Sequence, residues 1–267
     1  LGFTFSEIRI ARMNNGKWAA IFGNGYNSDP NGDGKAKLFI VYLDGTTPKI
    51  IDTGVGSMVN NDCSDGNSDC NGLSSPTVAD LNADGNIDRA YAGDLHGNIW
   101  AFDLSDGSDT NWNVSHGSVS PAPLFTACSA IPCTASTRQP ITTPPALARH
   151  STQRSNLTEP NLMVFFGTGQ YLAAGDNFNT DQQTFYGVWD SGPSNGNLDR
   201  SNLVQQTLGT DTTNVAGQTV TIRKITTSPA TSVDYVTTPE YGWYIDLPTS
   251  KERVAVTPHT IGKFVFF

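Results

Sequence analysis

The chain has 267 residues, of which 37% are hydrophobic, and it contains 26 glycines and 15 prolines. This length can bury a sizeable core, and the turn-rich composition favours half-exposed strands over thick layers of helices. Acidic residues outnumber basic ones by 25 to 16, which gives a formal net charge of −9. Such a balance, with scattered basic residues, disfavours nucleic acid or an anionic membrane as the partner. No apolar run is long enough for direct membrane insertion.

Short strand-like segments follow one another along the chain, with turn residues between them. Asn14-Asn15-Gly16 predicts a tight hairpin turn between the first two segments. No stretch has sustained helical periodicity, so the sequence predicts an all-β fold. The predicted strands are Ile8–Arg12, Lys17–Phe22, Lys37–Tyr42, Lys49–Asp52, Thr77–Ala79, Arg89–Ala92, Asn98–Phe102, Leu162–Phe166, Thr184–Trp189, Gln218–Ile225, Gly242–Asp246 and Arg253–Val256.

Two predicted strands, within Ile99–Asp103 and Phe185–Asp190, end in an aromatic residue near an aspartate. Phrases of this kind on short antiparallel strands are typical of β-propeller blades. At about 40 to 50 residues per blade, the chain would supply roughly four to six blades. We expect a modified β-propeller, whose ring is either closed or incomplete. A β-sandwich with calcium loops is the structural alternative. The tryptophans expected to pack the blades are Trp18, Trp100, Trp189 and Trp243.

One polar segment has oxygen-bearing side chains at strictly alternate positions. They are Asp80, Asn82, Asp84, Asn86 and Asp88. Ca²⁺ takes six to eight oxygen ligands, and alternate residues of a tight loop can point inward to supply them. Gly85, at position six, allows the sharp turn that such a loop needs. The spacing therefore predicts a Ca²⁺ site with these five residues as ligands, and a polar turn that binds nothing is the alternative.

The residues around this loop exclude an EF-hand. An EF-hand has a bidentate glutamate at position 12 and a helix on each side. Here position 12 is Tyr91, and the flanking segments are predicted strands. We therefore expect the calcium loop to lie between two β-strands, with Asp88 in the closing position that glutamate occupies in an EF-hand.

A weaker copy of the pattern lies upstream, at Asp29, Asn31 and Asp33. Its ninth position is Lys37, which offers a cation where a carboxylate is needed. A plain hairpin turn is therefore favoured, while a second ion site, or a degenerate copy left by an internal repeat, stays open.

The four cysteines form two close pairs in the sequence, Cys63 with Cys70 and Cys128 with Cys133. Each pair flanks a loop rich in turn-forming residues, so disulfides within the pairs are expected, although four cysteines allow three connectivities. Zinc is disfavoured, since neither pair has the short C-x-x-C spacing. Disulfides and a calcium loop both indicate a location outside the cytoplasm.

The ends of the chain bear on its domain organisation. It begins without methionine, and it stops at Phe267 in what looks like the middle of a strand. We expect residues 1–267 to form a single β-propeller domain, or a fragment of one, from a longer exported protein.

Six blocks spread over most of the chain are distinctive: Lys17–Asn27, Tyr91–Asp103, Phe166–Leu172, Tyr186–Asp190, Gly242–Pro248 and Glu252–Val254. In their residues and their order they resemble the PilY/PilC-type tip proteins of bacterial type IV pili. The resemblance implies a modified β-propeller, the C-terminal domain of a large protein that is secreted or held at the cell surface, on the periplasmic and outer-membrane side. Ala101 departs from it, since a basic residue is expected at that position.

The resemblance also implies a function. Such proteins support pilus assembly, twitching motility and surface adhesion, and calcium occupancy opposes pilus retraction. The implied partners are type IV pilus subunits or minor pilins, together with a host or surface receptor. The implied Ca²⁺ ligands are the five loop residues named above, with Asn86 acting through its main-chain carbonyl. The family's N-terminal adhesive region is not matched in this chain.

Enzymatic activity has no anchor in this sequence. The four histidines are far apart, no Gly-x-Ser-x-Gly elbow is present, and Gly167-Thr-Gly169 lacks the third glycine of a dinucleotide fingerprint. His96, in a turn after the loop, is expected at the surface. We therefore predict a protein that is not an enzyme. The alternative to the pilus function is an integrin-like propeller that binds a carbohydrate or protein ligand and whose calcium is purely structural.

Overall fold

The computed structural model describes residues 1–26, 30–151, 160–225, 232–236, 240–262 and 264–267. Regular structure in these ranges consists of β-strands and a few short 3-10 turns, which confirms the predicted all-β class. None of the helical segments found there is long and apolar enough to cross a membrane.

The first blade is an antiparallel meander of four strands. Its strands are β1 (Arg9–Arg12), β2 (Trp18–Gly23), β3 (Lys37–Tyr42) and β4 (Lys49–Asp52). Side chains of β2 and β3 alternate between buried and more exposed positions, as expected for a sheet with one covered face. The predicted hairpin between β1 and β2 is confirmed by their antiparallel register.

The second blade has buried residues on both of its faces. Its strands are β5 (Thr77–Ala79), β6 (Arg89–Gly93), β7 (Asn98–Asp103), β8 (Asn113–Val114) and β9 (Phe125–Thr126). Strands β8 and β9 pair with opposite ends of β7. Every residue of β6 and the first five of β7 are buried, so this blade lies between two other layers.

The third blade is a sheet of five strands whose order in the sheet differs from their order in the chain. The remaining strands are β10 (Ala146–Arg149), β11 (Leu162–Gly167), β12 (Thr184–Asp190), β13 (Val204–Gln206), β14 (Leu208–Val215), β15 (Gln218–Ile225), β16 (Gly242–Asp246), β17 (His259–Ile261) and β18 (Phe264–Phe266). The blade has the order β10-β11-β12-β16-β13, with β13 parallel to β16. The other four strands form two separate hairpins, β14 with β15 and β17 with β18.

Aromatic side chains fill the spaces between blades. Trp100 and Phe102 point from β7 into a core shared with the first blade. Ile99 and Ala101, at the alternate positions of the same strand, belong to the core shared with the third blade. Because successive side chains of a strand point to opposite faces, one strand supplies both cores. Trp189 lies in a third cluster, on the other face of the third blade.

Three expectations about the strands were wrong. The described residues form three blade-like sheets rather than four to six, because long connections consume much of the chain. Arg253–Val256 is not a strand: Val254 is buried, and its N–H donates to Thr168 O, but no ladder forms there. Trp18 does not pack between blades, since 55% of it is exposed.

The local disulfide pairing is confirmed. Cys63 bonds to Cys70, and Cys128 bonds to Cys133. Each bridge closes a short loop between strands, so it restrains a connection that packing alone would leave loosely held.

The close approach of the first two blades gives a test of the packing. A Cβ on Gly23, at the end of β2, would lie 2.2 Å from Ser74 O and 2.3 Å from Leu73 O. Gly23→Ala should therefore lower the free energy of unfolding by about 1–3 kcal/mol or more, measured by urea denaturation. Gly66→Ala is the matched control, because nothing lies within 4 Å of its Cβ. Equal stability of the two variants would contradict the packing described here.

Candidate functional site

The five predicted ligand residues lie together in the loop between β5 and β6. The prediction that this loop joins two strands is confirmed. Asn82 and Asp84 are exposed, Asp80 and Asn86 are half-buried, and Asp88 is buried with 4% of its surface exposed. The loop is thus open to solvent at its tip and closed at the end that enters β6.

Side-chain oxygens hold the loop in its curved shape. The Asp80 carboxylate accepts from Ala83 N at 2.7 Å and from Gly85 N at 2.8 Å. Asp84 Oδ1 in turn accepts from Asn86 N at 2.8 Å. These bonds turn the oxygens toward the loop's own main chain and hold the turn in its curved shape.

Two residues of the loop have left-handed backbone conformations. Gly85 has φ of 87°, as the sequence predicted for the sharp turn, and Ala83 has φ of 63°. Glycine adopts this region freely, but an alanine there costs roughly 1 kcal/mol or more. The strain at Ala83 is accepted where the bond to Asp80 fixes the turn.

Asp88 closes the loop at its buried end. Its Oδ2 accepts from Leu81 N at 2.8 Å, which ties the last predicted ligand to the start of the loop. Its Oδ1 accepts from Asn14 Nδ2 at 3.0 Å, from the turn between β1 and β2. The orientation of this carboxylate is therefore set from two sides.

The donor set of the loop is compatible with a hard cation. Asn86 Oδ1 is buried without a hydrogen-bond partner, and a carboxylate oxygen that accepts one N–H keeps a second lone pair. The main-chain N–H of Asn86, and then lesser hydrogen bonds, hold the pKa of Asp84 below its ordinary value, so this carboxylate is anionic at neutral pH. Oxygen donors of this kind suit Ca²⁺.

Within the described ranges, no three His, Cys, Asp or Glu side chains form a group that could hold a metal ion. The carboxylates of the loop would therefore need the amide oxygens of Asn82 and Asn86, and main-chain oxygens, to complete a coordination shell. The resemblance implied the main-chain carbonyl of Asn86 as the ligand, whereas its buried and unpartnered Oδ1 is a second oxygen that this residue could supply.

The weaker upstream pattern has a cation of its own. Asp29 lies outside the described residues, while Asp33 Oδ2 is 2.6 Å from Lys37 Nζ. Partial burial raises the pKa of Asp33, but the hydrogen bond and charge of Lys37 outweigh it and leave the pKa lowered. This turn joins the second and third strands of its blade, whereas the Asp80–Asp88 loop joins the first and second strands of the next one. The two loops thus occupy non-equivalent connections, which disfavours an origin in a blade repeat.

Two residues that contact the loop are not among the predicted site residues. Asn14 was assigned only to a hairpin turn, and Arg149, whose guanidinium donates to Leu81 O, lay in no predicted strand. Asn14 reaches the loop from the first blade across 74 positions in the sequence, and Arg149 reaches it from the third blade across 68. No local pattern could have found them, because their role depends on how blades are stacked.

The expectation that His96 lies at the surface was wrong. Only 6% of it is exposed, and its Nε2 is 3.2 Å from Asp69 Oδ1. The disulfide-closed loop that contains Asp69 covers the turn, and burial lowers the pKa of His96.

A buried group of acid–base side chains links the second and third blades. Tyr91 Oη donates to Asp190 Oδ2 at 2.8 Å, and His116 Nε2 is 3.7 Å from Asp190 Oδ1. Each of the three residues has at most 1% of its surface exposed, so a substrate has no access to them. Burial first, and then the Asp190 charge, raise the pKa of Tyr91 well above its ordinary value. The group joins the blades as a hydrogen-bonded tie.

Comparisons with known proteins agree with this architecture. Residues 1–220 match a family model of the PilY1 β-propeller domain. The chain is 35% identical to type IV pilus biogenesis factor PilY1 of Pseudomonas aeruginosa strain UCBPP-PA14, over 95% of this chain and 23% of the relative. It is 36% identical to a PilY1 homolog of Xylella fastidiosa strain Temecula1, over 100% of this chain and 17% of the relative.

A solved structure is also similar. The crystal structure of the Pseudomonas aeruginosa PilY1 C-terminal domain matches with a TM-score of 0.76 at 32% identity, over 99% of this chain and 56% of that chain. The chain therefore spans less than a quarter of the length of the two curated relatives and about half of the solved domain.

The ion pair directly after the loop gives a pH-dependent test. Burial raises the pKa of Asp103, but Arg89 and hydrogen bonds from Ser105 outweigh it, and the pKa lies below its ordinary value of 3.8. A lowered pKa stabilises the fold above the ordinary value, and this contribution is lost as the pH falls through the folded-state pKa. Asp103→Asn should therefore be less stable than wild type near neutral pH, with a smaller loss of stability in acid. Urea unfolding of the variant and of wild type, near neutral pH and in acid, measures the difference in their free energies of unfolding. A difference that is the same at both pH values would contradict this expectation.

Proposed function

This chain belongs to the PilY1 β-propeller family, and we propose that it is the calcium-binding propeller module of a type IV pilus biogenesis protein. One observation supports the calcium part of the proposal above others. The Asp80–Asp88 loop brings alternate carboxylate and amide oxygens to one strand connection, and its buried closing residue is oriented from both sides.

The proposed mechanism relies on the loop's charge. Bound Ca²⁺ would supply positive charge that offsets the repulsion among three nearby carboxylates. Asp80, Asn82 and Asp84 then hold the exposed tip, Asn86 contributes an otherwise unpartnered oxygen, and Asp88 anchors the buried end. Ordering of the tip changes the surface that the blade presents to a partner, and this change is the switch that opposes pilus retraction.

The partners and location follow from the relatives' names. The relatives are named as type IV pilus biogenesis factors, and for this chain we infer type IV pilus subunits or minor pilins as partners, at the cell surface. Twitching motility, surface adhesion and a host or surface receptor extend the same proposal. A non-enzymatic role is part of the proposal, and the buried Tyr91–Asp190 pair is consistent with it, because this pair serves as a tie between blades.

An alternative role for the ion has an observation in its favour. Asn14 and Arg149 contact the loop from the first and third blades, so the ion could act as a structural brace, as in an integrin-like propeller that binds a carbohydrate or protein ligand. Loss of calcium would then reduce the stability of the domain without a specific effect on retraction.

The ion site itself is tested by removing its closing ligand. Asp88→Ala should abolish calcium binding measured by titration calorimetry, since neither of the other two carboxylates of the loop lies at its buried end. Asp44→Ala is the control, because this exposed aspartate belongs to a turn outside the loop. An Asp88→Ala variant that binds calcium like wild type would contradict the assignment of Asp88 as the closing ligand.

The switch is tested in cells. A strain that carries the Asp88→Ala change within the full-length protein should show altered pilus retraction in a twitching assay, at normal levels of the protein. Normal extension and retraction in that strain would rule out the switch and favour the structural brace.

A further inference from the structure

The turn between β1 and β2 lies against the predicted calcium loop, across the boundary between the first and second blades. Met13 is fully buried there and forms a parallel bridge with Ile87, the residue before the closing aspartate. Ile87 N donates to Arg12 O at 3.0 Å. This contact is made by main-chain atoms, so the turn and the end of the loop are held in a fixed relation.

Asn14 extends this contact with its side chain. Its Nδ2 lies 3.0 Å from each of three acceptors, namely Ile87 O, Asp88 Oδ1 and Leu104 O. An amide nitrogen has two hydrogens, so three acceptors saturate it. Leu104 is itself tied to the loop, because its N–H donates to Asp88 O at 2.9 Å. A single side chain of the first blade thus contacts the closing carboxylate together with the carbonyls of Ile87 and Leu104.

We propose that Asn14 is a positioning residue for the calcium loop and that it couples ion binding to the contact between the first and second blades. The inference rests on the function proposed above, in which Asp88 is the closing ligand. With Leu81 N on Oδ2 and Asn14 on Oδ1, the carboxylate is oriented before any ion arrives. Outer partners that orient a ligand in this way increase metal affinity.

The coupling works in both directions. If the blade contact orients Asp88 for the ion, the bound ion must stabilise the blade contact by the same free energy. Calcium would therefore be sensed in the first blade, which contributes none of the five loop ligands. This gives the ion an effect beyond the loop that holds it.

The same turn provides a matched control in Asn15. Its Nδ2 donates to Tyr42 Oη at 3.0 Å, and its Oδ1 accepts from Lys17 N at 3.1 Å. Both partners belong to the first blade. Asn15→Ala therefore removes side-chain hydrogen bonds of the same turn without removing one of those to the loop.

The test compares calcium affinity in the 267-residue chain by titration calorimetry. Asn14→Ala should weaken binding by about ten- to a hundred-fold, while Asn15→Ala should bind like wild type. Wild-type affinity in Asn14→Ala, with calcium binding intact in the parent, would overturn the positioning role and leave the proposed function standing. A parent chain that binds no calcium would overturn both.

A second measurement needs no variant and stays informative if Asn14→Ala fails to fold. Calcium should slow hydrogen exchange at the amides of Met13 and Gly16, which bond within the β1–β2 turn. The Gly45 amide, in the β3–β4 turn, is the internal control. Unchanged exchange at Met13 and Gly16 in protein that binds the ion would overturn the coupling.

Discussion

The structure depends on stacking β-sheets so that the middle sheet is covered on both faces, which removes its polar groups from bulk water. Every residue of β6 is buried, as are the first five of β7. A buried donor or acceptor left without a partner costs about 1–3 kcal/mol, so hydrogen bonds to the buried polar groups of this sheet stabilise the fold. Some of these bonds run between sheets, as Tyr91 with Asp190 and Asn14 with Asp88 show.

The same constraint shapes the turn between β6 and β7. Asp94 is fully buried, and its Oδ2 accepts from Asn71 and Asn98 at 2.9 Å and from Trp100 Nε1 at 2.8 Å. Asn71 directly follows Cys70, so this carboxylate also anchors the disulfide-closed loop. The Asp80–Asp88 loop, at the other end of β6, therefore emerges from a blade that is fixed at both ends, and the proposed ordering on ion binding concerns its exposed tip.

Much of this could be predicted from local patterns. The strand-like segments predicted the strands of the first blade, Asn14-Asn15-Gly16 predicted its hairpin, and the predicted strands on each side placed the polar loop between two strands. The predictions that were wrong concern features that depend on how the sheets stack. His96 lies in a polar turn that a distant loop covers, and Arg253–Val256 contains three apolar residues yet forms no strand ladder. Strand propensity describes one segment, whereas burial and pairing are decided by its neighbours.

The central claim is that the Asp80–Asp88 loop binds calcium in the native fold and thereby strengthens the packing between blades. The most direct measurement is the thermal unfolding of this chain in calcium and in a chelator. A ligand that binds only the folded state must raise the stability of that state as its concentration rises. The melting temperature should therefore climb as calcium is added and fall with the chelator. A melting temperature that is the same in calcium and in chelator would contradict it.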